Sequence, residues 1–486
     1  MSCVGARGAA RAPLRDGHLH GMPCDGERSE APANLPGDVY SRDGSCNGMS
    51  YGFDVVVVGA GPGGIASATI AAEAGLRVCL LDDNRSLGGQ IWRGLHPETA
   101  KKGPHGRDFM QWTERLRRAE CEVWSGWRVI DCAAPGTLRT EREDEIRDVV
   151  FSKLIVATGA RERFLPFPGW TLPGVAGAGG LQALVKTGLD MRGKRIVVAG
   201  TGPLLPAIAA GLSDAGANII AIYEQAPMSR LFRFGVTLAG YPGKLLEGLG
   251  YFRKLRGVVY RTGSWVKRGE GSMRLERVTI TDGRREWSHD CDWLACGFHL
   301  VPNLELPALL GCEIADGYVS VDELQQSSIM DVACVGELTG IGGFEKALLE
   351  GKIAGCAAAG RENEAHAMAK RMSSMKNFAR RLDRGFALRE ELRGLPAADT
   401  AVCRCEDVTY AAVHECGSWR EAKLHTRCGM GACQGRICGP QTEFLFGWDY
   451  TGARPPIFPA RLETVARIPE PIGHSGGENN LSATIP

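Results

Sequence analysis

Uninterrupted apolar runs, rather than alternation, mark the main strands of this chain. Asp54-Val-Val-Val-Val-Gly-Ala-Gly and Arg195-Ile-Val-Val-Ala-Gly-Thr-Gly each run apolar into glycine, the pattern of parallel strands buried on both faces. Each leads into an Ala-rich helical stretch and then a short strand ending in an acid, Val78-Cys-Leu-Leu-Asp82 and Ile219-Ile-Ala-Ile-Tyr-Glu224. Two such βαβ units, about 140 residues apart, predict an α/β fold with two Rossmann-type dinucleotide-binding domains. Residues 121–150 read as a β-rich connection, 256–300 as a small alternating sheet and 361–395 as a charged helical connector. The expected layout is a tail over 1–50, a first nucleotide domain over 51–192 and 296–365, and a second inserted over 193–295. A helical connector follows over 366–397, then a small helical domain over 398–450 and a tail over 451–486.

Composition changes this picture little. The 486 residues leave room for two or three domains. With 44% hydrophobic residues, 23% charged residues and a net charge of +1, the chain gives no reason to expect nucleic acid or an anionic membrane as partner. No apolar run approaches the ~20 residues of a spanning helix. The first 48 residues lack the apolar core of a secretory signal, so a cytoplasmic location is expected. Those residues are rich in Gly, Arg, Pro and Asp without periodicity and read as disordered, as does the end from about 465. Met49 stands just before the first strand and is a candidate start of translation.

Gly59-Ala-Gly61-Pro62-Gly63-Gly64 fits G-x-G-x-x-G between a strand and a helix, with Asp82 twenty-three residues beyond Gly59. Together these features are a strong dinucleotide signature. Gly59 permits the tight turn, Gly61 lets backbone N–H groups approach a pyrophosphate, and Gly64 lets the helix pack on the strand. The helix N-terminus stabilises the phosphate charge. Asp82 can accept from a ribose hydroxyl, with Asp83 the off-by-one alternative. The second loop, Gly200-Thr-Gly202-Pro-Leu-Leu205, lacks the third glycine. Leu205 is expected to push helix and strand slightly apart, and Pro203 and Pro206 suit only the first helical turn. Glu224 can take a ribose 2′-hydroxyl and would repel a 2′-phosphate, so NAD fits better than NADP. Another adenine nucleotide such as ATP, or an empty site, stays open.

The seventeen cysteines are scattered at first and then crowd into 403–438. The scattered ones read as small buried hydrophobes, since structural disulfides are rare in a reducing compartment. No C-x-x-C pair precedes residue 400, and the one C-x-x-x-x-C pair, Cys291 and Cys296, stands apart from the flavin motifs in sequence, so a flavin–dithiol relay is not expected. In the crowded stretch Cys403-Arg-Cys405 is followed, after twenty-seven residues, by Cys433-Gln-Gly-Arg-Ile-Cys438, with Cys416 and Cys428 nearby. Four thiolates can hold zinc, but C-x-C is an uncommon zinc spacing. A [2Fe–2S] cluster with four thiolates is anionic. Gly429, Gly431, Gly435 and Gly439 would let backbone N–H groups approach its sulfurs, and Arg404, Arg427 and Arg436 would supply positive charge. By spacing alone, Cys428/Cys433 and Cys433/Cys438 both serve as the late pair.

Leu154-Ile-Val-Ala157-Thr158-Gly159-Ala160, Asp331-Val-Ala-Cys-Val-Gly336-Glu337 and Gly88-Gly89-Gln90 resemble stretches of the glutathione-reductase-like flavoproteins. The resemblance implies FAD in the first site, with Ala157, Thr158 and Gly159 near it and Gly89 and Gln90 beside the isoalloxazine. A late acid at Gly336-Glu337 would lie on the ribityl chain. Glu337 stands where that group has Asp, so its longer side chain must retract. Cys403-Arg-Cys-Glu-Asp-Val-Thr and Thr426-Arg-Cys-Gly-Met-Gly-Ala-Cys-Gln-Gly-Arg-Ile-Cys438 resemble the bacterioferritin-associated-ferredoxin-like [2Fe–2S] module. That resemblance implies Cys403, Cys405, Cys433 and Cys438 as ligands, with Cys428 in reserve.

The combination over residues 52–450, including Gly89-Gln-Ile-Trp92-Arg93 and Gly340-Ile-Gly-Gly343, resembles the α (A) subunits of multi-subunit bacterial amine dehydrogenases. These are the opine oxidases, the D-hydroxyproline and proline dehydrogenases and hydrogen cyanide synthase. It implies an FAD-dependent oxidoreductase acting with a partner on CH–NH or CH–NH2 donors. An FAD-dependent β subunit would oxidise the substrate, this chain would relay electrons, and an interface FMN and a small third subunit occur in some relatives. No His/Arg/Tyr constellation for an amino-acid substrate is evident near the flavin motifs, so no catalytic residue is assigned here. Arg93, Arg161 and Arg163 read as phosphate or ion-pair residues. The rival reading is a self-contained NAD(P)H-dependent reductase; a non-enzymatic redox-sensing or scaffold protein is a third.

Overall fold

The computed structural model describes residues 51–95, 105–450 and 452–468. The expectations for residues 1–50, Met49 included, and for the end beyond 468 concern residues outside these. β1 (Tyr51–Val58), α1 (Pro62–Glu73) and β2 (Val78–Asp82) form the first βαβ unit. Alternate valines of β1 enter different cores, because successive side chains of a strand point to opposite faces. Val55 and Val57 pack with α1, whereas Val56 and Val58 pack beneath an antiparallel meander. After α2 (Gly106–Arg118) and β3 (Glu122–Ser125) comes that meander: β4 (Arg128–Ala134), β5 (Thr137–Arg142) and β6 (Glu145–Val156). β6 is long enough for two tasks. Its first half pairs antiparallel with β5 and its second half parallel with β1, which confirms the β-rich reading of 121–150.

β7 (Ala160–Glu162) leads to β8 (Val175–Gly177), α3 (Ala178–Lys186), β9 (Arg195–Thr201), α4 (Leu204–Asp214) and β10 (Asn218–Glu224). α5 (Met228–Thr237) and α6 (Pro242–Lys254) precede β11 (Val259–Thr262). A three-stranded antiparallel sheet of β12 (Trp265–Glu270), β13 (Arg277–Thr281) and β14 (Glu286–Asp290) follows, then β15 (Trp293–Phe298) and β16 (Leu300–Pro302). The second sheet runs β11-β10-β9-β15-β8. The expected boundary at 192/193 therefore moves: β8 pairs with β15, and Ala178 and Leu181 of α3 lie in the second core. Three residues of strand are too few to carry a readable period, and only their partner reveals them. β7 and β16 pair antiparallel and carry the chain into and out of the insertion.

The chain returns to the first domain through α7 (Glu305–Leu309), β17 (Val332–Cys334), which pairs with β6, and α8 (Phe344–Ala358). α8 crosses α1 at close range: a Cβ at Gly351 would lie 2.2 Å from the Gly63 carbonyl oxygen, so only glycine permits this backbone approach. α9 (Glu362–Gly385) is the expected helical connector. The C-terminal module holds a short hairpin of Ala401–Cys403 and Val408–Thr409, with α10 (Tyr410–His414), α11 (Trp419–Thr426) and α12 (Cys438–Phe446). Ser418 caps α11, its side chain accepting from the Glu421 N–H.

The segment after residue 450 is not a free tail where it is described. Ile457 is buried in the meander core and donates its N–H to Ile130 O at 2.9 Å. Buried Arg139 binds Asp148 through two 2.9 Å contacts and donates to Thr464 O and Arg467 O. The strap adds two carbonyl acceptors to a guanidinium whose five donors a single carboxylate cannot satisfy.

Candidate functional site

Elements distant in sequence meet around the first glycine loop. Gly59 has φ +106°, and a Cβ there would lie 2.3 Å from Ala157 O, so the turn and the Ala157-Thr158-Gly159 segment are in contact. A Cβ at Gly64 would lie 1.8 Å from Gly59 O, while Gly61 has open space around it. Gly88 donates to Ala60 O at 2.8 Å, and a Cβ at Gly89 would lie 3.0 Å from the Gly61 Cα, which brings the Gly88-Gly89-Gln90 loop beside the same turn. Asp82 accepts from the Ala60 N–H at 2.5 Å and from the Asn84 N–H at 2.7 Å. Burial raises its pKa against the opposing pull of those bonds. Asp83 instead lies toward solvent, 3.9 Å from Arg128. Pro62 is the first helical residue of α1 and Gly63 packs against α8.

Glu337 turns toward the glycines that follow it. Its carboxylate accepts from the Gly342 and Gly343 N–H groups, both at 3.1 Å, and burial pushes its pKa up. Beneath it lies a feature the sequence reading missed. Lys346 and Glu350, both essentially inaccessible, pair at 2.8 Å. Lys346 donates to Gly336 O at 2.9 Å and Glu350 accepts from the Gly336 N–H at 2.8 Å. The pair thus fixes the backbone of the Gly336-Glu337 turn, and the signal was an i,i+4 Lys/Glu pair inside an apolar helix. Glu162 was also missed: its carboxylate accepts from the first amides of α3, Gly179 N at 2.6 Å and Gly180 N at 2.9 Å. FAD fits this constellation. The Gly61 cradle is open at a helix N-terminus, and the indole N–H of fully buried Trp92 and the Arg93 Nε have no partner among the described residues.

The second loop has the same backbone and a different occupancy. Gly200 has φ +144°, and a Cβ there would lie 1.9 Å from Gly297 O. Leu205 does not wedge helix from strand, because it packs over Gly297, where no side chain opposes it. Glu224 is fully buried; one oxygen accepts from the Gly202 N–H and the other from the Ala226 N–H, both at 2.8 Å. Burial pushes its pKa up to about 7. Chain from beyond α9 lies across the loop. Thr201 Oγ1 donates to Phe386 O at 3.1 Å, Gln225 Nε2 donates to Ala387 O at 3.2 Å, and the Arg389 N–H donates to Gln225 Oε1 at 3.1 Å. Phe386 is buried with Ala226, Phe234 and Leu382. Glu224 thus holds its own turn as Asp82 does at the first loop, and what separates the two loops is the Phe386-Ala387 cover.

A cavity of about 390 Å³ lies between this cover, β16 and the C-terminal module. Arg163, His299, Tyr318 and Tyr450 line it, a constellation that linear sequence did not reveal. Its cations are engaged: Arg163 pairs with Glu443 at 3.2 Å and His299 with Asp383 at 3.3 Å.

In the C-terminal module the sulfurs of Cys403, Cys428 and Cys438 lie within 4.8 Å of one another, all buried. Cys433 adjoins Cys438, while Cys405 is exposed and faces Cys433. Cys416 stands apart, its thiol directed at Ala412 O. The thiols perturb one another strongly: contact with Cys428 and Cys438 pulls Cys403 far down, and contact with Cys403 pushes Cys438 up. Such a knot of sulfur suits a bound cation, which would stabilise several thiolates at once. The Gly429 N–H donates to Cys403 Sγ at 3.5 Å, as expected. Gly435 and Gly439 serve another purpose, making room for the Trp419 and Tyr450 rings at 2.9 and 2.5 Å from their would-be Cβ atoms. Of the three expected positive charges, Arg427 pairs with Glu406, and Arg436 faces Glu305 while also donating to Cys433 O at 3.4 Å.

Comparison with known proteins agrees with this architecture. Residues 53–362 match the pyridine nucleotide-disulphide oxidoreductase family. The HcnB component of hydrogen cyanide synthase from Pseudomonas protegens is 32% identical, over 79% of this chain and 89% of that one. The opine oxidase A polypeptide of Rhizobium meliloti is 33% identical, over 86% of this chain and 99% of that one. Among solved structures, L-proline dehydrogenase from P. horikoshii superposes with a TM-score of 0.65 at 18% identity, over 87% of this chain and 81% of its own. T. acidophilum thioredoxin reductase gives 0.51 at 20% identity, over 64% of this chain and 99% of its own. At those identities the two structures speak for the fold. Among the described residues no helix is long and apolar enough to cross a membrane.

Proposed function

We propose, from the premise that this chain belongs to the pyridine nucleotide-disulphide oxidoreductase family and to the group within it that holds HcnB and the opine oxidase A polypeptides, that it is the electron-relay subunit of a hetero-oligomeric amino- or imino-acid dehydrogenase. A partner flavoprotein subunit would oxidise the substrate C–N bond. The observation that carries this reading is the difference between the two nucleotide loops. The first is surrounded by flavin-type motifs, whereas Thr201 and Gln225 at the second are bonded to the backbone of Phe386-Ala387, which lies across it. A flavin whose nicotinamide loop is covered in this way draws its electrons from a source other than NADH, and in this reading that source is the partner subunit. The engaged cations of the nearby cavity agree, since none is left to bind a substrate carboxylate among the residues described there.

When bound, FAD accepts an electron pair and a [2Fe–2S] cluster passes electrons on singly. The chain's own residues supply the frame. Gly61 and the α1 N-terminus hold the pyrophosphate, Asp82 takes the ribose, and the Lys346–Glu350 pair keeps the Gly336-Glu337 turn in place. Cys403, Cys433 and Cys438 hold the cluster with Cys405, whose thiol faces Cys433; buried Cys428, its sulfur within 4.8 Å of those of Cys403 and Cys438, is the alternative fourth ligand. Cys405→Ser is expected to abolish the cluster's EPR signal while Cys428→Ser keeps it, and the reverse result would exchange their roles. Stoichiometric zinc in the native protein would remove the cluster from the reading.

Anaerobic mixing of the purified chain with NADH tests the relay. The expected result is an unbleached flavin with NADH, and bleaching when the co-purified partner is added together with an imino acid such as proline. Rapid bleaching by NADH alone would identify a self-contained reductase instead, and full amine:acceptor activity in the isolated chain would remove the need for a partner.

A further inference from the structure

A chain of polar contacts runs between the two candidate centres. Asn303 is joined to the flavin-side turn three times: its N–H donates to Gly159 O at 2.9 Å, its amide donates to Thr158 O at 2.7 Å, and its carbonyl accepts from Thr158 Oγ1 at 3.0 Å. The Asn303 side-chain oxygen accepts from Arg161 Nη1 at 2.8 Å, and Arg161 Nε donates to the backbone carbonyl of Arg436 at 3.1 Å. Arg436 lies between Cys433 and Cys438, and its N–H donates to Cys433 O at 3.1 Å. Glu305 stands between the two guanidiniums, 2.8 Å from Arg161 and 3.4 Å from Arg436.

These side chains are mostly buried, at 17%, 24% and 15% exposure for Arg161, Glu305 and Arg436. Two guanidiniums this close repel unless an anion lies between them, so Glu305 is needed for either to stay. Arg436 is held further by the Ile457 carbonyl at 2.6 Å and by the Phe458 ring, 3.8 Å from its guanidinium carbon. One face of the network is thus the turn at Thr158-Gly159 and the other is the loop carrying two cysteines. A surface ion pair would have neither property.

We propose that Arg161, Asn303, Glu305 and Arg436 are positioning residues that clamp the cysteine loop at a fixed distance from the flavin turn; this rests on the relay reading above. An electron crossing between the two sides carries no atom and no proton, so distance and rigidity are what the protein frame contributes. The clamp supplies both through a carboxylate shared by the two domains.

The test uses the full-length holoprotein. Arg161→Gln and Glu305→Gln should raise amide hydrogen exchange of residues 433–447 by at least about tenfold, leave exchange in the module's own core at Val402 and Val408 unchanged, and preserve the EPR g-values of the dithionite-reduced cluster. With the partner and proline present, cluster reduction should slow by a similar factor. Arg161→Lys keeps the charge beside Glu305 but loses the fork to Asn303 and Arg436, and should fall between; it also decides the matter if Arg161→Gln is insoluble. Wild-type exchange at 433–447 in these variants, or exchange raised equally at Val402 and Val408, would overturn the clamp. Failure of the wild-type complex to reduce its cluster with any amine would instead overturn the relay reading and leave the exchange result to judge the clamp.

Discussion

The two glycine loops share a backbone and differ in what lies on top of them. At the first, Asp82 holds the Ala60 N–H and the Asn84 N–H at the edge of an open cradle. At the second, the one-carbon-longer Glu224 reaches further along the loop, to the Gly202 N–H, and also binds the Ala226 N–H. Chain about 160 residues further on then covers it. A strand, a glycine turn, a helix and an acid therefore define a fold, and the surface left free above them defines a site. The second unit keeps its value as a scaffold: its cover connects α9 to the cysteine module and so helps orient that module.

The comparison can be broken most severely at the glycines. Gly59→Ala meets Ala157 O and a left-handed φ, and Gly200→Ala meets Gly297 O in the same way. Each should cost roughly 3 kcal/mol or more of stability in urea unfolding. Only Gly59→Ala should also lose bound flavin, read as absorbance near 450 nm per chain; equal flavin loss in both would mean that the second loop is a flavin site too.

A smaller effect is expected from Glu224. Its folded pKa, about 7, lies above the ordinary 4.5, so the folded state holds the proton more tightly than the unfolded one. Its contribution is therefore fully present below about 4.5 and is lost as pH rises to about 7, a fall of about 3 kcal/mol. Glu224→Gln should flatten the stability profile over that window, whatever it does to the absolute value. An unchanged slope would show that the carboxylate is accessible and that the cover is not closed.

The smallest change is expected at the neighbouring acid. Asp83→Asn should leave flavin content intact and stability within about 0.5 kcal/mol, as for exposed charges in general, whereas Asp82→Asn should weaken FAD binding severalfold in an equilibrium titration. A larger effect at Asp83 would move the ribose contact to it.

Much of the site could be read from the chain because its signals are local. Gly59 to Gly64 with Asp82, and Cys403 to Cys438, lie within stretches short enough for spacing to carry chemical meaning. Glu337 could be expected to retract because only one carbon distinguishes it from Asp. The missing parts are contacts between remote segments. β8 is three residues long and becomes a strand only through β15. Glu305 looks like any helix-start acid until Arg161 and Arg436 close on it, and Arg163 and His299 line a cavity whose walls come from five segments. Lys346 and Glu350 were closer to legible, since two opposite charges one turn apart in an apolar helix need each other.

By itself the sequence determined two dinucleotide folds, their acids and a thiol cluster, because backbone conformation and ligand spacing are set within a few dozen residues. Tertiary structure alone decided that one loop lies under the Phe386-Ala387 segment and the other does not, that the segment around Ile457 is a strap, and that the cysteine loop is tied to the flavin turn. Those outcomes depend on which desolvated donors and acceptors find one another across hundreds of residues. A buried polar group must be satisfied by whatever the fold brings to it, and no local pattern records that partner in advance.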